Sequence, residues 1–224
     1  MPEQTDIKFG ELFLSLLPSG AAFSHDHRTL FVADVHLGKA ASYRRLGQPV
    51  PQGTTTQTLQ QLSNDIDNCK VKHLVVLGDL LHGPLVHKSS STLEAIARWR
   101  TDHLAMQITL IRGNHDDRAG DPPAALDIDV VDEPFIFASV VCRHEMGACA
   151  TDSGFVMSGH IHPVVVLQGR ARERLRLACF VVGEKHLILP AYGAFTGGHA
   201  YNPSPNESLY VIADQVVMKL PRSS

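Results

Sequence analysis

Cysteine is scarce in this sequence, charge of one sign is not in excess, and no apolar run is long enough to cross a bilayer; each lack removes a class of protein. The four cysteines, Cys69, Cys142, Cys149 and Cys179, have no C-x-x-C spacing and sit in apolar runs. They read as reduced core thiols, which argues against a disulfide framework or a zinc knuckle. The formal net charge is only −3, so a polyanion would have to be gripped by a local basic patch. Met1 to Asp6 carries neither a basic nor an apolar leader, and no later stretch approaches the roughly 20 apolar residues of a membrane helix. A cytoplasmic protein with no membrane partner is the expectation. Linkers, internal repeats and low-complexity segments are missing too. The 224 residues, 44% of them apolar, are therefore expected to form one domain, 1–224, with a sizeable core.

Histidine is what the sequence has in quantity, 13 residues, and the position of a few matters more than the number. Five β-rich runs each end in a polar cluster, as a sheet does when it presents side chains at its carboxyl edge. Thr29 to Ala33 runs into Asp34, and Lys72 to Leu77 into Gly78-Asp79. Gln107 to Arg112 runs into Gly113-Asn114-His115-Asp116, Phe135 to Val141 leads to His144, and Phe155 to Ser158 leads to Gly159-His160-Ile161-His162. Between the early strands, Thr54 can cap a helix whose Leu59, Leu62, Ile66 and Cys69 form one buried stripe, and Ser91 can open another through Leu104. Strands dominate after His162, at Val164–Leu167, Leu175–Val181, Leu187–Leu189, Leu209–Ile212 and Val216–Leu220. The pattern predicts an α/β (α+β) fold of two packed mixed β-sheets flanked by helices.

The polar clusters supply imidazoles, the carboxylates of Asp34 and Asp79, and the amide oxygen of Asn114. This nitrogen and oxygen donor set suits manganese, iron or zinc better than a soft thiolate site would. Two ions about 3.5–4 Å apart, bridged by one carboxylate and a hydroxide that attacks phosphorus in line, would use it fully. Asp79, in the middle of the set, is the natural bridge. Gly78, Gly113 and Gly159 fall at strand-to-loop corners, where a β-carbon would obstruct close approach.

Taken in order, D-x-H, G-D, G-N-H-D, H and G-H-x-H resemble the calcineurin-like metallophosphoesterases. Val32 to Ala40, Pro49 to Thr55 and Leu189 to Gly198 look like the bacterial DNA-ligase-associated group of that family. The resemblance implies that Asp34, His36, Asp79 and His162 hold one divalent metal, and that Asp79, Asn114, His144 and His160 hold the other. Manganese is the first expectation, with iron and zinc as alternatives. His144 is preferred over His87 and His103 because it follows an apolar strand between the third and fifth motifs. His115 is implied as the catalytic histidine beside the scissile phosphate, oriented by Asp116 or Asp34. For that group the implied activity is manganese-dependent phosphodiester cleavage, including endonucleolytic cutting of DNA, in repair beside a DNA ligase and a helicase.

Other residues add candidate substrate contacts. Lys39, Arg44 and Arg45 follow the first motif closely and could reach phosphate oxygens, Tyr43 could stack on a base, and His82 lies three residues after Asp79. Arg170, Arg172, Arg174 and Arg176 alternate with apolar residues, so an extended strand would put them on one face. Such a row either tracks a phosphate backbone or is a solvated face paired with Glu173 or Glu184. Thr196-Gly197-Gly198 reads as a tight loop near the site, since it lacks the lysine and helix of a P-loop. The leading expectation is a single-strand-preferring DNA endonuclease, because no groove-reading motif is present. The same motifs allow a phosphomonoesterase or a small-nucleotide phosphodiesterase. A non-catalytic scaffold with this fold is disfavoured by the presence of His115 and every expected ligand.

Overall fold

The computed structural model describes residues 3–147, 154–168 and 173–221. Cys149, Arg170 and Arg172 lie outside them. The first sheet takes its strands in chain order, β1 (Thr5–Phe9), β2 (Leu12–Leu16), β3 (Ala22–Ser24), β4 (Thr29–Val32), β5 (His73–Leu77), β6 (Gln107–Ile111) and β7 (Asp129–Val131). The first four pair antiparallel; β4 to β7 pair parallel. Both faces of the parallel part are covered, and this explains why its strands read as unbroken apolar runs. Leu30, Val32, Leu74, Val76, Ile108 and Leu110 face Leu59, Leu62 and Ile66 of helix α2 (Thr54–Cys69) and Ile96 and Trp99 of α3 (Ser90–Asp102). The alternate residues Phe31, Val75, Leu77 and Ile111 face the second sheet, where Val140, Cys142, Met157, Phe180 and Leu187 meet them.

That second sheet contains β8 (Phe135–Phe137), β9 (Val140–Cys142), β10 (Phe155–Ser158), β11 (Pro163–Gln168), β12 (Arg174–Val182), β13 (His186–Ile188), β14 (His199–Ala200), β15 (Ser208–Ala213) and β16 (Val216–Lys219). Its order is β14-β11-β12-β13-β10-β9-β8, with β15 joined to β12 and β16 to β15. Two mixed sheets packed face to face, with helices over the outer face of the first, agree with the architecture expected from sequence. Among the described residues no helix is long and apolar enough to cross a membrane.

Several elements differ from the sequence reading. Strands β1 to β3 form a meander that it did not anticipate. The Phe135–Val141 run is two antiparallel strands, turned at Ala138 with φ 50°. Ala138-Ser139 carries none of the glycine, proline or asparagine that normally marks a turn. Thr54 is the first helical residue of α2, not its cap; Gly53, left-handed at φ 81°, precedes it. Helix α3 begins at Ser90, after Ser89, and ends at Asp102.

Candidate active site

The parallel pairing of β4, β5 and β6 brings their carboxyl ends to one edge of the first sheet. The parallel pair β9 and β10 brings the ends of the second sheet to the same place. Loops there are bound together through backbone: the Asp34 N–H donates to Gly78 O (3.2 Å) and the His36 N–H to Asp79 O (2.8 Å). Five polar residues in these loops have left-handed backbones, Asp34 (φ 55°), His36 (49°), Asp79 (54°), His160 (69°) and His162 (49°). Such angles cost non-glycine residues on the order of 1–3 kcal/mol each and persist where the surroundings over-determine them. The motif glycines allow the crowding. A Cβ on Gly78 would lie 2.2 Å from His144 Nδ1, and one on Gly113 would lie 2.4 Å from Asp79 Oδ1.

The side chains form two clusters that share Asp79. On one side, His162 Nε2 is 3.1 Å from Asp34 Oδ1, and His36 Nε2 is 3.7 Å from Asp79 Oδ2. On the other, His144 Nε2 is 3.6 Å from Asp79 Oδ1 and 3.0 Å from both Asn114 Oδ1 and His160 Nδ1. Two ligands about 2.1 Å from one ion at a right angle are about 3 Å apart, so these spacings are those of atoms that converge on a cation. Asp34 Oδ1 and His36 Nε2 are buried and make no hydrogen bond among the described residues. An orphaned acceptor of that kind costs about 1–3 kcal/mol unless something fills it. The ring orientations fit as well: His144 Nδ1 is 3.0 Å from Leu77 O and His162 Nδ1 is 3.1 Å from Gly197 O, which leaves each Nε2 for the cluster. The residues present are able to bind divalent metal.

Burial dominates the electrostatics. It raises the Asp79 carboxyl above the usual range, against the pull of His144 and the His115 N–H, with Asp34 adding to the rise. It lowers His36 far below its ordinary value, with Lys39, His82, His162 and His115 adding to the effect. Acids and bases are thus both driven toward neutrality, a balance that bound cations would reverse for the carboxylates. His115, half-buried, is lowered by desolvation and by Lys39, while Asp79 opposes. Its ring stacks on His82 (4.7 Å between centroids, 24°) and stands edge-on to His36 at 4.9 Å. His82 is itself pushed down to about 4 by burial and by His115 and Lys39.

The structure gives Asp116 different neighbours from those the sequence suggested. Its Oδ2 accepts the Gly113 N–H and its Oδ1 the Leu81 N–H, both at 3.0 Å, and no hydrogen bond joins it to the His115 ring among the described residues. It ties the loop after β5 to the start of α4 (Asn114–Ala119). The His115 ring packs against those of His82 and His36, and neither spacing nor composition reveals that stacking.

The candidate substrate contacts divide. Lys39 opens α1 (Lys39–Arg45), is half-buried, and feels Asp34 and Asp79. Arg44 and Arg45 instead donate to Pro51 O (2.7 Å) and Lys88 O (2.8 Å), on a flank with Ser89, Ser90 and Ser91. Arg174 is exposed where β12 pairs with Gln168 of β11. Arg176 Nη2 donates to Gly198 O, beside the carbonyl that holds His162. Of the remaining histidines, His25, His73, His103 and His186 bond to Ser15, Thr109, Ser63 and Glu207, away from the clusters.

Convergent Asp, His and Asn side chains at the shared edge of two mixed sheets define a class of phosphoester hydrolase. The sequence model of the calcineurin-like phosphoesterases matches residues 27–174; the chain belongs to that family and is a phosphoester-hydrolysing enzyme. Among solved structures it is similar to Pseudomonas putida nuclease MPE, at 41% identity and a TM-score of 0.84 over 97% of this chain and 100% of that one. Fainter likenesses are to Yfce, a phosphoesterase from E. coli (15% identity, TM-score 0.44, 86% of this chain and 97% of that one), and to zinc-complexed Vps29 from Entamoeba histolytica (12%, 0.37, 86% and 96%). No curated protein matches the chain.

Proposed function

We propose that this enzyme is a DNA phosphodiesterase, an endonuclease preferring single strands, that works with two divalent metal ions, manganese before iron or zinc. The observation that carries the two-ion reading is Asp79, each of whose oxygens faces a different ligand cluster. Asp34, His36 and His162 complete one set of ligands; Asn114, His144 and His160 complete the other. When bound, the ions supply a nucleophile ionised near neutral pH and offset charge on the phosphate oxygens. His115, held at the mouth of the clusters by its N–H bond to Asp79 Oδ1 (2.8 Å), donates to the developing charge at the leaving oxygen. Asp116 fixes the loops that place Asp79 and His115. Lys39 is the nearest candidate for a phosphate oxygen, and Arg174 and Arg176 for backbone beyond it; Arg172 lies outside the described residues.

Nucleic acid as substrate is supported by the likeness to a nuclease over nearly the whole chain. A cytoplasmic role in repair beside a ligase and a helicase follows from the resemblance of Leu189 to Gly198 and the other segments to the ligase-associated group. The test is manganese-dependent hydrolysis of circular single-stranded DNA, a small aryl phosphodiester and a phosphomonoester by wild type and His115→Ala. Opening of the circle by wild type and not by the variant supports the proposal. Turnover of the monoester with an intact circle would replace it with a phosphatase.

A further inference from the structure

Between α1 and the loop after β13 runs a groove of about 470 Å³, lined by Lys39, Tyr43, Ala194, Phe195, Thr196 and Gly197. Its volume lies in the range of small-ligand sites, about 300–1,000 Å³. One residue on each wall is linked to the candidate metal-ligand clusters. Lys39, on one wall, feels Asp34 and Asp79; Gly197, on the other, holds His162 through its carbonyl.

A series of rings leads outward into it. His82 stacks on His115, Tyr43 lies 6.0 Å beyond His82 and is tilted 34° from it, and Phe195 stands edge-on to Tyr43 at 6.2 Å. Tyr43 and Phe195 are only partly buried, so neither ring is consumed by the core. Lys39 and Tyr43 are four residues apart on one helix and therefore share a face. Arg44 and Arg45, by contrast, are held on the other flank of the helix. A cation at the inner end and aromatic surface at the outer end suit a group that is anionic at one end and flat and unsaturated at the other.

We infer that this groove is a nucleotide subsite, where Lys39 holds a phosphate oxygen and the Tyr43–Phe195 wall stacks the base next to the cleaved bond. Stacking tolerates any base, since each has a π face, so the subsite favours unpaired strands without reading sequence. The inference rests on the DNA-cleaving reading and names how that site grips its substrate.

The experiment compares kcat/KM on a single-stranded oligonucleotide with kcat/KM on a small aryl phosphodiester, for wild type, Tyr43→Ala, Phe195→Ala and Tyr43→Phe. A single abasic residue is also walked through the oligonucleotide. The oligonucleotide-to-diester ratio should fall about tenfold in each alanine variant, within the range for loss of one base–aromatic stack, and stay near wild type in Tyr43→Phe. An abasic residue beside the cleaved bond should slow wild type to a similar degree and slow the alanine variants little further. Wild-type cleavage indifferent to the abasic position, or unchanged ratios in both alanine variants, overturns the subsite. Hydrolysis of the small diester with no oligonucleotide cleavage by wild type overturns the DNA reading itself, and the subsite with it.

Discussion

The Asp–His corner proposed to hold the metals and the β11–β12 hairpin both consist of polar side chains set against apolar strands, yet they are built in opposite ways. At the corner, Asp34 and Asp79 are 0% and 2% exposed, and left-handed backbones and close-packed glycines fix where each donor points. On the hairpin, Arg174 and Arg176 are exposed, and the only hydrogen bond made by either side chain among the described residues runs from Arg176 to a backbone carbonyl. Chemistry at phosphorus needs atoms placed to a fraction of an ångström, whereas tracking a phosphate backbone needs charge at about the right distance. The left-handed backbones and close-packed glycines of the corner suit the first demand. Exposed arginines on long side chains are suited to the second.

This contrast can be broken first at the corner. Gly78→Ala places a Cβ 2.2 Å from His144 Nδ1 at a left-handed position, φ 78°. The variant should lose at least one ion and about 10³-fold or more in turnover, read by metal analysis beside a diester assay. Retention of both ions at full rate would mean that the corner is softer than its geometry implies.

A smaller effect sharpens the electrostatic side. In metal-free protein, burial pushes the Asp116 carboxyl up to about 6 from the usual 3.8. Its protonated form is then the favoured one: the stabilisation is complete below about pH 3.8 and is lost as pH rises through about 6. A rise from 3.8 to about 6 corresponds to a stability change on the order of 3 kcal/mol. Denaturant unfolding in a chelator should therefore show wild type losing stability relative to Asp116→Asn by roughly that amount between pH 4 and 7. Parallel pH profiles would assign the carboxyl an ordinary pKa.

The hairpin should give the smallest change. Arg174→Ala with Arg176→Ala should weaken DNA cleavage several-fold and reduce its salt slope by about 0.7 for each phosphate contact removed, the single-strand value. A matching loss on a small diester would show that the arginines act through the metal corner.

Legibility follows the same contrast. Strands β4, β5 and β6 could be read because burial on both faces leaves unbroken apolar runs that end in Asp34, Gly78-Asp79 and Gly113-Asn114, and the order of the motifs marked the residues that the fold brings together. What partners those residues could not be read. Leu77 O and Gly197 O orient His144 and His162, but any residue supplies a carbonyl, and only topology brings it there. The family resemblance offers Asp116 or Asp34 to orient His115, but only the fold shows that α4 turns the Asp116 carboxylate toward Gly113 and Leu81. The β8–β9 turn escaped notice because Ala138-Ser139 lacks turn residues, and Phe195 because a lone aromatic in a loop has no periodicity to mark it.

The most direct test of the central claim, two ions sharing Asp79 beside a separate catalytic histidine, is manganese stoichiometry measured together with diester turnover in wild type, Asp79→Ala and His115→Ala. Two ions per chain in wild type and His115→Ala, with turnover lost in the latter, and loss of both metal and turnover in Asp79→Ala, is the predicted result. Asp79→Ala that keeps two ions and full rate, or His115→Ala that sheds its metal, would contradict it.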